Sequence, residues 1–401
     1  MTIGVKYCSY PDHSGYGLAA LAYVRALHTA GVPVWWAPVI LRDGRQRLWR
    51  PDDGLAALPL ASAAENDIAV QDLLALLQVA GPKPCDTVVV HMVPEHWPAL
   101  AEPGKRNIGY TVWETDALPA HWLPLLCVPD KVLVPCTMNQ TLFTRGGVTK
   151  PVDVIPHIRR HGWNEASSTH GAELRRQLGV PDDHFVFYSI GVWDPRKALG
   201  DLVNVFARTF CGDDKVSLVL KTSTTISGLA VDCGPTGDIA ERVRTLQARA
   251  AVETGRSPAH IALLAADRVP GRVIDALHAT GDCYVSLAHG EGWGLGAFDA
   301  ATLGKPVLIA AYGGPADYLG ADYPGCIDYT MVPVSGWVPT ASFRPPQRWA
   351  QPDPVDAGRK LRRMVARYAD FLEPAAQAAE RIANRYAAPV VTRQMIAALD
   401  G

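Results

Sequence analysis

Three things are scarce in this sequence: long apolar runs, paired cysteines and net charge. No stretch reaches the ~18–20 consecutive apolar residues of a membrane span. The N-terminus runs straight into a strand pattern, IGVKYCSY, without the charged leader and apolar core of a signal peptide. Eight cysteines, at 8, 85, 127, 136, 211, 233, 283 and 326, form no C-x-x-C pair. Several sit in apolar runs, as Cys283 does in DCYVSL, so free thiols in a reducing compartment are expected and the location should be cytoplasmic. A formal net charge of −2, with residues 1–160 themselves near neutral, gives no electrostatic reason to expect nucleic acid or an anionic membrane as partner. There is no H-E-x-x-H, no Cys/His cluster at ligand spacing and no D-x-D at a strand end, so no metal is expected.

What is present is a large globular α/β chain. At 401 residues, with 48% hydrophobic and 19% charged residues, two domains with separate cores are the default. Short β-branched runs alternate with helical patterns. Ile3–Tyr7 leads to a helix near Tyr16–Ala30 and a strand at Pro33–Pro38, then Thr87–His91, Asn107–Val112, Lys131–Pro135 and Val152–Ile155. A second series follows at Phe185–Ile190, Ser217–Lys221, His260–Leu264, Cys283–Leu287 and Val307–Ala311. Continuous apolar strands separated by helices predict parallel sheets covered on both faces. Between the two series the polar stretch PHIRRHGWNEASSTHGAELRRQLGVPDD reads as a linker, and Ala357–Ala398 reads as terminal helix. Domain bounds follow: 1–165, a linker at 166–182, 183–375, and a C-terminal helix at 376–401 returning to the first domain.

The densest signal is HGEGWGLGAFDAATLGKPV, residues 289–307. Glu291 and Asp299 lie eight positions apart around a turn with Gly292, Gly294 and Gly296, and the turn opens a helical pattern from Ala297. A glycine-rich turn at a helix start offers unpaired N–H groups and a positive dipole end to an anion such as phosphate. Flanking carboxylates accept hydroxyl protons from a sugar or ribose. Together these suit a nucleotide sugar. The run resembles the E-G-F-G-L-P-x-x-E-A signature of retaining glycosyltransferases of family 4, which have the GT-B fold. Trp293 stands for the usual Phe, Gly296 for Pro and Asp299 for the second Glu, while Gly313-Gly314-Pro315 matches the Gly-Gly that follows. The resemblance implies two doubly wound, Rossmann-like domains facing a cleft. It also implies a donor site in the second of them, formed by Glu291, Gly292, Trp293, Gly294, Leu295, Gly296 and Asp299, with Glu291 on the sugar or its phosphate and Asp299 on the ribose.

FYSIGVWDPRKALGDLVNVF is similar to the strand and helix that open the family's second domain, where Arg and Lys grip the diphosphate. Lys197 holds the Lys position. The Arg position is Val192, a departure, and Arg196 is the candidate replacement. Lys221, ending the strand LVLKTS, is a further donor-side candidate, because ligands of open α/β sheets bind beyond strand C-termini. In the first domain Ser14-Gly15-Tyr16-Gly17-Leu18-Ala19-Ala20 contains G-x-G-x-x-A between strand and helix. A dinucleotide fingerprint would need an acid at the end of the next strand, and VPVWWAPV has none. The resemblance to GT-B transferases, which commonly carry an S/G-G-x-G turn at this place, instead implies a donor-side role for Gly15. His91 closes the strand VVVH, and GYTVWETDALP places Glu114 and Asp116 after the following one, in a form seen in some bacterial members.

These resemblances imply transfer of a sugar from a nucleoside diphosphate to a hydroxyl with retention, catalysed by His91, Glu291, Lys197 and Glu114. No cofactor is implied besides the nucleotide-sugar co-substrate. The acceptor class is open between glycan, lipid-linked sugar, natural product and modified nucleobase. Trp35, Trp36, Trp49, Trp97, Trp113 and Trp122 make the first domain aromatic-rich, which fits stacking on an acceptor or packing of the sheet. A GT-B epimerase or phosphorylase, or a non-catalytic nucleotide-sugar scaffold, would use the same site, and oligomeric state is not encoded legibly.

Overall fold

A computed structural model describes residues 4–42, 44–61, 71, 74, 77, 84–160, 165–227, 238–320, 322–335 and 342–400. The chain separates into two compact units. The first contains Met1–Trp113, Leu118–Arg159 and Asn384–Gly401, and the second Glu114–Ala117 with Arg160–Ala383.

The first unit is built on β1 (Val5–Ser9), β2 (Val34–Arg42), β3 (Arg45–Leu48), β4 (Thr87–His91), β5 (Arg106–Tyr110), β6 (Lys131–Val134) and β7 (Val152–Val154). Their order is β3-β2-β1-β4-β5-β6-β7, parallel throughout except for the β2–β3 hairpin at one edge. Setting β3 aside, this is a doubly wound sheet that reverses between β1 and β4. β1 and β4 are buried along their whole length, as a central parallel strand requires, so their sequences show no polar alternation. The first expected strand runs Val5–Ser9; Ile3 lies outside the described residues. The helix Ala388–Asp400 belongs to this unit. Lys131 Nζ donates to Ala398 O (3.1 Å) and Arg106 Nη1 to Leu399 O (2.9 Å), so two cations satisfy the carbonyl end of its dipole.

The second unit carries β8 (Phe185–Ile190), β9 (Val216–Thr222), β10 (His260–Ala265), β11 (Cys283–Ser286), β12 (Val307–Ala310) and β13 (Cys326–Ile327). Their order, β10-β9-β8-β11-β12-β13, repeats the doubly wound plan and reverses between β8 and β11. The helix Leu199–Thr209 shows how this core closes. Leu199, Leu202, Val203 and Phe206 recur at helical spacing, are buried, and join Phe187, Leu218, Leu220 and Val285 of the sheet. Burying one such side chain is worth roughly 1.5–3 kcal/mol.

Two elements differ from the sequence expectation. The segment 166–182, read as an irregular polar linker, contains the helix Glu165–Gln177. Its described inward positions include Gly171 and Leu174, and a Cβ on Gly171 would lie 2.5 Å from Ala279 Cβ on the helix Gly271–Thr280. A contact made through glycine and alanine leaves no apolar stripe for periodicity to detect. An antiparallel ribbon, β14 (Tyr329–Pro333) with β15 (Arg348–Pro352), was also not anticipated. The final helical stretch resolves into Pro354–Ala366, Ala369–Arg385 and Ala388–Asp400. No helix among the described residues is long and apolar enough to cross a membrane.

Candidate functional site

The reversal between β8 and β11 opens the crevice at which open α/β sheets take ligands. Two loops meet there, 191–198 after β8 and 287–294 after β11. Backbone and side chains join them: the His289 N–H donates to Arg196 O (2.7 Å), and Arg196 Nη1 donates to Gly290 O (2.8 Å). Lys197 Nζ lies 2.6 Å from Glu291 Oε1 and 2.8 Å from Oε2, so its ammonium is shared by both carboxylate oxygens. Lys197 is set by its own loop, since its N–H donates to Asp194 Oδ1 (2.7 Å), and Asp194 is buried. Its stem runs over Gly191, where an added Cβ would sit 3.6 Å from Lys197 Cδ. Ala198, the next residue, has φ +47°, the one non-glycine positive φ among the described residues. Glu291 is fixed by a third loop as well, the one after β12, because the Gly314 N–H donates to its carbonyl (3.1 Å) and Gly313 forms an isolated bridge with it.

Glu114 joins this cluster. The segment Glu114–Ala117 lies in the second unit and is tied to β15, with Asp116 N–H donating to Arg348 O (2.9 Å) and Arg348 Nε to Asp116 Oδ2 (2.8 Å). Gly290 permits the approach: a Cβ there would fall 2.2 Å from Glu114 O. Arg196 Nη1 consequently stands 3.7 Å from Glu114 Oε1 and 3.7 Å from Glu291 Oε2. Two cations and two carboxylates thus share one corner. Burial holds the Glu114 carboxyl above the usual carboxylate range against the opposing pull of Arg196, and Glu291 adds to the rise.

Gly294 (φ +79°) is the N-cap of the helix Leu295–Thr302, and Gly292 is buried beneath the turn. Trp293 is buried, packed against Phe298 (5.0 Å) and Tyr318 (5.4 Å), so its ring anchors the turn from inside. Leu295 and Gly296 are half-buried in the first helical turn. One turn on, Asp299 is buried, with Oδ2 3.3 Å from Arg160 Nη1 and no partner for Oδ1. Burial raises its carboxyl above the usual range; Arg160 opposes this. Arg160 also reaches Asp275 Oδ1 (2.8 Å). Sequence reading passed over Arg160 because it lies in the polar stretch taken as linker. Asp194 and His289 were missed likewise. The His289 ring packs on Trp349 (4.6 Å) with neither nitrogen hydrogen-bonded.

Lys221 is the penultimate residue of β9, beside β8, its carbonyl accepting from the Gly191 N–H (3.1 Å). Its ammonium is half-buried, and burial lowers its pKa, with Asp267 opposing. Val192 is 46% exposed, so the position lacking the family's Arg faces solvent. Among the described residues no group of three or more His, Cys, Asp and Glu side chains could hold a metal ion.

The first unit places Gly15 and His91 at its own reversal, after β1 and at the end of β4. Gly15 opens the helix Gly15–Thr29 and is exposed, while Ser14 Oγ caps by accepting from the Gly17 N–H (3.1 Å). The close approach belongs to Gly17, where a Cβ would lie 2.2 Å from Asp12 O. His91 is 1% exposed, its ring 3.9 Å from Tyr110 and its Nδ1 2.9 Å from Tyr7 Oη. Burial, reinforced by His157, holds it well below the usual histidine pKa, so it is neutral. Trp36, Trp97, Trp113 and Trp122 are buried, so these four serve packing.

No family model matches the sequence, and no curated protein sequence matches it. Solved structures do resemble it. HepE from Anabaena, in complex with UDP and glucose, superposes with a TM-score of 0.61 at 14% identity, over 100% of both chains. Sucrose-phosphate synthase from Thermosynechococcus elongatus gives 0.62 at 15% identity, over 99% of this chain and 98% of that one. The α,α-trehalose 6-phosphate synthase of Burkholderia multivorans gives 0.60 at 15%, over 100% and 98%. At these identities the likeness is one of fold, and that fold, two doubly wound α/β units in one chain, is GT-B.

Proposed function

We propose that this chain is a retaining glycosyltransferase that moves a sugar from a nucleoside diphosphate to a hydroxyl acceptor. The observation that carries the reading is the convergence of Lys197, Arg196 and Glu291 at the β8/β11 reversal, one helical turn from a buried Asp299 with an unpaired oxygen. The two cations and the N-terminus of the helix Leu295–Thr302 suit a diphosphate, whose charge grows as the glycosidic bond breaks. Lys221 suits the same anion from the neighbouring strand, and Gly15 is assigned a donor-side role at the start of its own helix. Asp299 Oδ1, orphaned and buried, suits a ribose hydroxyl, which would supply the missing donor. Glu291 orients the sugar. We assign His91, neutral and held by Tyr7, a catalytic role from its place at the end of β4. The likeness to HepE, solved with UDP and glucose, supports a donor of this class.

The bond from the anomeric carbon to the diphosphate breaks while the acceptor oxygen bonds to that carbon on the same face. The acceptor proton passes to a leaving phosphate oxygen, so no protein nucleophile and no metal are invoked. Incubation with UDP-, GDP- and ADP-sugars and a panel of glycan, lipid-linked and small hydroxyl acceptors, read by mass spectrometry, tests this. Transfer or slow hydrolysis of one donor supports it. Donor conversion without acceptor marks an epimerase, and dependence on free phosphate a phosphorylase. Binding without turnover marks a scaffold.

A further inference from the structure

The cations proposed to grip the diphosphate already have carboxylate neighbours. Lys197 is shared by both oxygens of Glu291, and Arg196 Nη1 lies midway between Glu291 and Glu114 at 3.7 Å from each. Glu291 has a place in the donor complex, next to the sugar. Glu114 reaches Arg196 from a separate segment, which is anchored by Asp116 on Arg348. A diphosphate entering this corner adds negative charge beside a carboxylate that has little water to screen it.

We propose that Glu114 is the exchangeable counter-ion of the anion grip: it neutralises Arg196 in the empty site, and takes up a proton when a nucleotide sugar displaces it. The inference rests on the donor reading above and gives that site a pH-dependent affinity. Among the described residues, Arg196 and Lys197 favour the ionised form of Glu114, while Glu291 and Asp194 oppose it. Burial is the largest influence and also disfavours the charge. Replacing Arg196's carboxylate neighbour by phosphate removes the main group that kept it ionised. Proton uptake on binding makes affinity fall as pH rises, by up to roughly tenfold per pH unit for one fully coupled proton.

The test is calorimetric titration of UDP-glucose, GDP-mannose and ADP-glucose into the full chain, in buffers of low and high ionisation enthalpy. A nucleotide sugar is the right probe because a free nucleoside diphosphate carries its own phosphate titration near pH ~6. The expected result is a binding enthalpy that depends on the buffer, showing uptake of up to one proton per donor bound. Glu114→Gln should abolish that dependence and flatten the fall of affinity with pH. Binding with no buffer dependence in the parent overturns the proposal and leaves the donor reading standing. Equal uptake in the parent and Glu114→Gln also overturns it, since another group then carries the proton. Absence of binding by all three sugars overturns the donor reading itself, and this inference with it.

Discussion

Replacing Lys197 by methionine and Glu291 by glutamine, singly and together, isolates the ion pair on which the candidate site is built. Lys197 Nζ reaches both Glu291 oxygens at 2.6 and 2.8 Å, and the two side chains are 20% and 11% exposed. Removing one member of a buried pair costs about 3–5 kcal/mol, because the other charge is left stranded. Partial exposure lowers that figure. So does Arg196, 3.7 Å from Glu291 Oε2, which can substitute for the lysine. About 2 kcal/mol is therefore expected for Lys197→Met. Glu291→Gln strands the lysine and removes one of two carboxylates beside Arg196, so it should cost more, about 3 kcal/mol. In the double variant no charge is stranded across the contact, and its loss should fall short of the sum by about 1–2 kcal/mol. For a domain of this size each 1 kcal/mol moves the thermal midpoint by roughly 2–4 °C, so the single variants should melt roughly 4–12 °C lower. Urea denaturation of all four proteins gives the cycle. Strictly additive losses would refute the reasoning, since the pair would then carry no coupling energy.

Three further perturbations probe the same site. Ala198→Gly relieves a left-handed alanine next to Lys197, and should stabilise the chain by about 1 kcal/mol, read as a higher urea midpoint; an unchanged or lower midpoint means the turn is not strained. Asp299 is raised by burial, so the stability it adds is full below the ordinary carboxylate pKa and is lost as pH rises through its raised value. Asp299→Asn should remove that downward slope in stability between mildly acidic and neutral solution, and a slope equal to the parent's would assign it to another group. Gly290→Ala drives a Cβ to 2.2 Å from Glu114 O and should cost about 1–3 kcal/mol. A neutral result would mean that the Glu114 segment does not pack on this glycine.

Much of this was legible from residue patterns because the physics was local. β4 and β9 are buried parallel strands, and they announce themselves as apolar β-branched runs. The Glu291–Asp299 turn stood out because its glycines and acids fall at short fixed spacing before a helical pattern, and it lies at the β8/β11 reversal beside Lys197. The helix Glu165–Gln177 was not legible, since its contact is made by glycine and alanine rather than by a stripe of large apolar residues. The β14–β15 ribbon fell in a stretch with no clean alternation. Arg160 was overlooked because nothing in sequence links it to Asp299, 139 residues away. Glu114 was read with the strands around it, yet its segment groups with the second unit through the Asp116–Arg348 contacts. Pairings of that kind arise only from the folded chain.

The most direct measurement is equilibrium titration of UDP-glucose, GDP-mannose and ADP-glucose into the parent chain and into the Lys197→Met and Asp299→Asn variants. A donor site built on these residues predicts saturable one-to-one binding of at least one sugar nucleotide. Loss of a charge-assisted contact worth about 1.5–3 kcal/mol should weaken that binding by roughly tenfold to a hundredfold in each variant. Binding of none of the three, or binding unaltered by both substitutions, would contradict the assignment of the β8/β11 crevice as the donor site.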